Sequence, residues 1–119
     1  MRRALAQLIA ASAILALSSP SAAAPDGKNR KITVENLSGQ VVRELYASPV
    51  TAKTWEEDLL GQKTLASGTS INANIDNGTS ECRYDLKAVR ADGREYTHRD
   101  VNVCAASKWM LREESETIQ

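Results

Sequence analysis

The sequence predicts an all-β fold: a small antiparallel β-sandwich of six or seven strands, immunoglobulin-like or a partly open barrel, with one short helical turn and one disulfide. Three observations carry this expectation. Short runs alternate apolar and polar residues at period 2. Gly and Asx turn signals recur between those runs, and no amphipathic helix extends beyond a turn or two.

The first 24 residues stand apart from this pattern. "MRRALAQLIAASAILALSSPSAAAP" places Arg2 and Arg3 before an apolar run from Ala4 to Leu17, then Pro20 and small residues to Ala24. That is the plan of a secretory signal peptide, with cleavage equally readable after Ala22, Ala23 or Ala24. The general secretion route is favoured over twin-arginine export, because bulky apolar partners to the two arginines are missing. The apolar run is short for a bilayer span, and no later segment approaches the ~20 apolar residues that a spanning helix needs. The expected product is a soluble periplasmic or secreted domain without a membrane span.

Residues 25–30, "PDGKNR", are polar and turn-forming and read as a flexible lead-in. The sandwich is expected over residues 31–111. "KITVENL" alternates Ile32 and Val34 with polar neighbours, as a half-buried strand does. Ser38-Gly39 then turns the chain into "QVVRELYAS", which reads as the second strand of a hairpin. Further on, Leu65 points inward, Ser67-Gly68 turns, and Ile71, Ala73 and Ile75 share one strand face. Asp76-Asn77-Gly78 supplies a tight turn, since Asn and Gly tolerate positive φ. "ECRYDLKAV" alternates most clearly, with Cys82, Tyr84, Leu86 and Ala88 on the core face. "ADG" turns again into "REYTHRDVNVC", and "SKWML" forms a last strand before an acidic tail, residues 112–119, expected to fray.

Two cysteines, Cys82 and Cys104, lie downstream of the export signal, so an intramolecular disulfide is expected rather than a redox pair; no Cys-x-x-Cys spacing occurs. Register raises a difficulty. If Asp92-Gly93 is a two-residue turn, Cys82 falls opposite Val103, and Cys104 shares a face with Asp100 and Asn102 instead of Val101 and Val103. A slip of one residue inverts faces. A β-bulge near Asn102, a longer turn, or a disulfide to a non-adjacent strand would reconcile them, and the bulge is favoured.

Composition narrows the function classes. Removing residues 1–24 takes away two arginines and no acids, leaving 13 basic and 15 acidic side chains against the 15 and 15 of the whole chain. The charges interleave, so nucleic acid is not an expected partner. About 95 residues remain, enough for one domain with a modest core. Phenylalanine is absent, so that core relies on aliphatics with Trp55, Trp109, Tyr46, Tyr84 and Tyr96.

One stretch draws chemical interest: "SPVTAKTWEEDLLG", residues 48–61, sets Trp55 beside three carboxylates. As structure, Thr54 caps a helical turn, Glu57 completes a capping box, Trp55, Leu59 and Leu60 form its apolar side, and Gly61 ends it. As chemistry, Glu56, Glu57, Asp58 and Asp76 would supply oxygens to a hard cation, although adjacent acids on a turn diverge where calcium loops space theirs by two. A third role follows if Trp55 faces solvent beside Tyr46: Tyr46, Trp55, Glu56 and Asp58 then form a candidate recognition surface. The single His98 and Asp100 show no nucleophile elbow or oxyanion motif around them. Too few His and Cys remain for zinc or copper, and no cofactor or metal is expected. Asn36-Leu-Ser and Asn77-Gly-Thr are sequons, the second more plainly a turn.

Across roughly residues 32–109, the ordered set "LSG", "LYASP", "W", "DLLG", "CRYDL", "ADG" and "C" resembles an uncharacterised family of small secreted bacterial β-rich proteins. That resemblance implies an exported sandwich-like domain with a Cys82–Cys104 disulfide, and it carries no activity, ligand or catalytic residue. The resulting expectation is a non-enzymatic binding or accessory module for an envelope protein or ligand. The alternative is a small inhibitor of an envelope-directed hydrolase.

Overall fold

Among the described residues seven strands form, six of them where the sequence places strands and the seventh within the tail expected to fray. The computed structural model describes residues 25–119; the signal peptide expected over residues 1–24 lies outside the described residues. The strands are β1 (Lys31–Leu37), β2 (Val42–Pro49), β3 (Ser70–Asn74), β4 (Arg83–Arg90), β5 (Glu95–Asn102), β6 (Lys108–Arg112) and β7 (Glu116–Ile118). They build two sheets, ordered β3-β1-β6-β7 and β2-β4-β5, whose inner faces share one core. Ile32, Val34 and Trp109 enter it from the first sheet, and Leu45, Tyr84, Leu86 and Val101 from the second. Every strand pair is antiparallel except β1 with β6, which run parallel, Val34 opposite Trp109.

The expected β1–β2 hairpin does not form, because the chain changes sheets at Ser38-Gly39. The cause is Asn36, a fully buried amide at the crossover. Its Nδ2 donates to the carbonyls of Gln40 (2.8 Å) and Leu65 (2.9 Å). Its Oδ1 accepts from the Ser38 amide (3.1 Å) and the Ser38 hydroxyl (2.7 Å). A buried polar group so completely satisfied directs the chain, and removing it orphans its partners. Asn36→Ala is expected to cost about 1–3 kcal/mol, read as a lower urea midpoint at unchanged m-value. With its side chain buried, the Asn36 sequon is out of reach of modification in the folded protein.

In the β4–β5 hairpin two devices offset each other, and the cysteine register is reconciled only where Cys104 leaves the ladder. The turn is longer than two residues: Arg90 N–H donates to the Arg94 carbonyl, Ala91, Asp92 and Gly93 form the loop, and Gly93 takes φ +92°. Ala88 therefore faces Tyr96. A bulge then restores the register, between the Leu86–His98 and Tyr84–Val101 pairs, three residues before the expected place. Asp100 adopts φ +57° there, and the Asp85 carboxylate across the ladder accepts both the Asp100 amide (2.9 Å) and Arg99 Nη1 (3.1 Å). The bulge puts Val101 and Val103 in the core with Tyr96. Val103 lies opposite Cys82, its N–H donating to the Cys82 carbonyl (2.8 Å). Cys104 then leaves the ladder in a turn and closes the disulfide, Cα–Cα 5.4 Å.

Both ends of the described chain are held more firmly than their polarity suggests. Arg30, fully buried, closes over the lead-in through a bidentate pair with Asp26 (2.9 and 2.7 Å) and a bond from Nε to the Glu81 carbonyl (2.6 Å). The hydrogen-bonded guanidinium holds the Asp26 carboxyl well below the usual carboxylate range. At the other end the tail expected to fray forms β7, with Ile118 opposite Trp109. Glu116 Oε1 accepts the Trp109 indole N–H (2.6 Å) and lies 2.6 Å from His98 Nδ1 on β5. One carboxylate thus clasps the edge of one sheet to the edge of the other.

The helical turn expected after β2 is absent. Leu59 N–H instead donates to the Leu45 carbonyl (2.7 Å), and Asp58 Oδ1 accepts the amides of Leu45 (2.9 Å) and Leu60 (3.0 Å). A turn or two of isolated helix is marginal in water, and the edge of β2 and the Asp58 carboxylate offer these backbone groups better partners. Gly61 still takes the left-handed conformation, φ +62°. Among the described residues no helix is long and apolar enough to cross a membrane.

Candidate functional site: an aromatic and cationic sheet face

Alternation in the three-stranded sheet sends Leu45, Ala47, Tyr84 and Leu86 inward, so Tyr46, Ser48, Asp85 and Lys87 point outward. Tyr46 pairs with Lys87 and Ser48 with Asp85 across β2 and β4. The connection after β2 folds back over this outer face. Glu56 N–H donates to Ser48 Oγ (2.8 Å), and Trp55, just before it, is laid against the sheet.

Trp55 is therefore not a core residue. It is half-buried, its ring 6.3 Å from that of Tyr46 at 43°. Lys87 Nζ lies 5.6 Å from the Tyr46 centroid and 5.5 Å from that of Trp55, and the Arg99 guanidinium lies 5.4 Å from Trp55. These are cation–π separations, in which the ring quadrupole attracts the charge. Tyr46 Oη donates to Glu44 Oε1 (2.7 Å). That bond, with burial, pushes the Tyr46 phenol up to about 12.

Beside Trp55 lies a hollow of about 130 Å³ lined by Ser48, Ala52, Lys53, Thr54, Trp55, Asp85 and Arg99. Ser48 is 4 % exposed at its base. Its oxygen accepts from Glu56, while its own hydroxyl hydrogen has no acceptor among the described residues. Arg99 reaches over the rim, 68 % exposed, and is steered by Asp85.

Of the four residues expected at a recognition surface, the fold brings two together, Tyr46 and Trp55. Asp58 is spent on pinning its loop to β2. Glu56 touches the face through its backbone, and its side chain borders a second, larger cleft between the β2 and β3 edges with Glu57, Asn74 and Asp76. Of the four acids of the hard-cation reading, Glu56, Glu57 and Asp76 border that cleft and Asp58 does not, and among the described residues no three His, Cys, Asp or Glu side chains form a metal-binding group. The bulge also parts His98 from Asp100: the first meets Glu116 and the second pairs with Arg83 at 3.6 Å.

Ser48, Asp85, Lys87 and Arg99 belong to the face although no local motif marks them. Lys87 and Asp85 follow from alternation once β4 is paired with β2. Arg99 follows from the β4–β5 register: with Tyr96 inward opposite Ala88, Thr97 and Arg99 alternate outward, and Arg99 meets Asp85. Compared with known protein families, curated proteins and solved structures, the chain matches none of them.

Proposed function

We propose that the protein is an exported, non-catalytic binding module, and that the outer face of the three-stranded sheet around Tyr46 and Trp55 is its contact surface. The observation that carries this is the placement of Trp55: a large indole held outside the core, beside a tyrosine and two cations. Aromatic and arginine side chains at half-exposed positions are what binding hot spots are made of. The Arg2-Arg3 signal-like start and the disulfide support an envelope or extracellular setting, with an envelope protein or ligand as partner.

Photo-crosslinking tests the face directly. Benzoylphenylalanine in place of Ala52, on the exposed rim beside Trp55, is expected to give a discrete adduct in the producing cell, and Trp55→Ala is expected to abolish it. The same probe in place of Lys31, exposed on the other sheet, is the control. No adduct from Ala52, or an equal adduct from both positions, overturns the proposal.

A further inference from the structure

The hollow beside Trp55 has a chemistry of its own. Its floor and rim are rich in hydrogen-bond donors. The Ser48 hydroxyl, buried and with an unspent proton, sits at the base; Lys53 and Thr54 stand at the rim; the Arg99 guanidinium, exposed on its far side, hangs above. The one carboxylate among the lining residues, Asp85, accepts at both oxygens, from the Asp100 amide and from Arg99. Two cations, Lys53 and Arg99, line the hollow against that one compensated carboxylate, and Lys87, against the indole but outside the lining, pairs with Glu95 (3.8 Å). The Ser48 hydroxyl proton, which no described residue accepts, is therefore open to a ligand that accepts there.

We infer that this hollow is a carboxylate subsite, which takes an aspartate or glutamate side chain from an acidic segment of a partner protein. The inference rests on the binding-face reading and names its ligand chemistry. Size favours a side chain: about 130 Å³ is the share of roughly four waters, room for a carboxylate on a short stem and not for a pyranose ring. Cations 5.4 and 5.5 Å from the indole centroid already partner the ring, so the hollow offers donors rather than a bare aromatic face for a sugar to stack on. A carboxylate seated there would accept from Ser48 Oγ and from Arg99, and such charge-assisted bonds are about twice as strong as neutral ones.

The test is a titration of the purified protein with acetylated, amidated hexaglutamate, followed by two-dimensional NMR. The Trp55 indole N–H, the Arg99 Nε–H and the Ser48 amide are expected to shift together and saturably, and hexaglutamine is expected to leave them in place. Arg99→Gln is expected to weaken binding about tenfold and Ser48→Ala a few-fold. Lys53→Gln, at an exposed rim position with no structural bond, is expected to weaken it a few-fold without touching the fold. Equal shifts with hexaglutamine, no shift with either peptide, or undiminished binding by all three variants overturns the inference. Tetragalacturonate binding more tightly than hexaglutamate also overturns it, in favour of a sugar. If the Ala52 adduct forms while hexaglutamate fails, the carboxylate subsite falls and the binding face stands.

Discussion

Trp109→Ala is expected to remove about 3–5 kcal/mol of folding free energy, enough to leave a domain of this size partly unfolded at room temperature. Trp109 is fully buried. It stands on β6 between β1 and β7, opposite Val34 on one side and Ile118 on the other. The other rings of that core, Tyr84 and Tyr96, lie on the opposite sheet with their hydroxyls bonded to Asn77 and Arg112, so neither is free to move into the void. The substitution also takes the indole N–H from Glu116, so the clasp over β7 loosens. Trp109→Phe separates the two effects: it keeps an aromatic ring in place and is expected to cost about 1–3 kcal/mol. Urea denaturation followed by circular dichroism measures both. A midpoint unchanged in Trp109→Ala would show that this indole does not hold the first sheet together.

The second large effect is expected from the disulfide. Replacing Cys82 and Cys104 by serine releases a loop closed over 22 residues, worth roughly 3 kcal/mol. For a domain of this length that is a drop of roughly 10–20 °C in melting temperature. The bond ties the start of β4 to the turn after β5, where the ladder has just ended. Its loss is therefore expected to free that end of the hairpin first, seen as faster amide exchange at Val103 than at Ala88. Reducing the natural protein should reproduce the melting shift; a reduced protein that melts with the oxidised one would contradict it.

How much of this was legible in the residues varies along the chain for physical reasons. Alternation marked β1, β3 and β4, because a strand with one buried face must alternate; β6, with Trp109, Met110 and Leu111 all buried, carries no such period. It could not tell whether two consecutive strands share a sheet. The Ser38-Gly39 turn reads alike for a hairpin and for a crossover, and the decision lies with the buried amide of Asn36 and carbonyls as distant as Leu65. β7 is three residues long and acidic, too short for a period and apparently too polar to dock. Its docking depends on Glu116 meeting the Trp109 indole N–H and His98, partners set by tertiary structure. The capping grammar of Thr54 to Glu57 was real as local preference, but the Leu59 N–H found the Leu45 carbonyl on β2 and the Leu60 N–H the Asp58 carboxylate instead.

The site divides in the same way. Tyr46 and Trp55 stood out as residue types, since an aromatic in an irregular segment must either fill a core or face a partner. Their cations did not, because Lys87 and Arg99 are ordinary outward strand residues until strand pairing brings them together. The register difficulty posed by Cys82 and Cys104 was the one signal that pointed there. The bulge at Arg99-Asp100 keeps Val101 and Val103 in the core and lies at the rim of the hollow, while the disulfide itself closes beyond the ladder.

The parallel pairing of β1 with β6 also sets an order in time. β1 is the first strand made, yet in its sheet it lies between β3 and β6, and β6 begins only at Lys108. Until those last residues are synthesised, the first sheet lacks its centre and Val34 has no Trp109 to meet. Such sequence-distant closure is slow, because loop entropy must be spent before any contact repays it. The three-stranded sheet, whose strands all precede Val103, can assemble earlier. A chain still emerging therefore holds its first sheet open until the residues of β6 arrive.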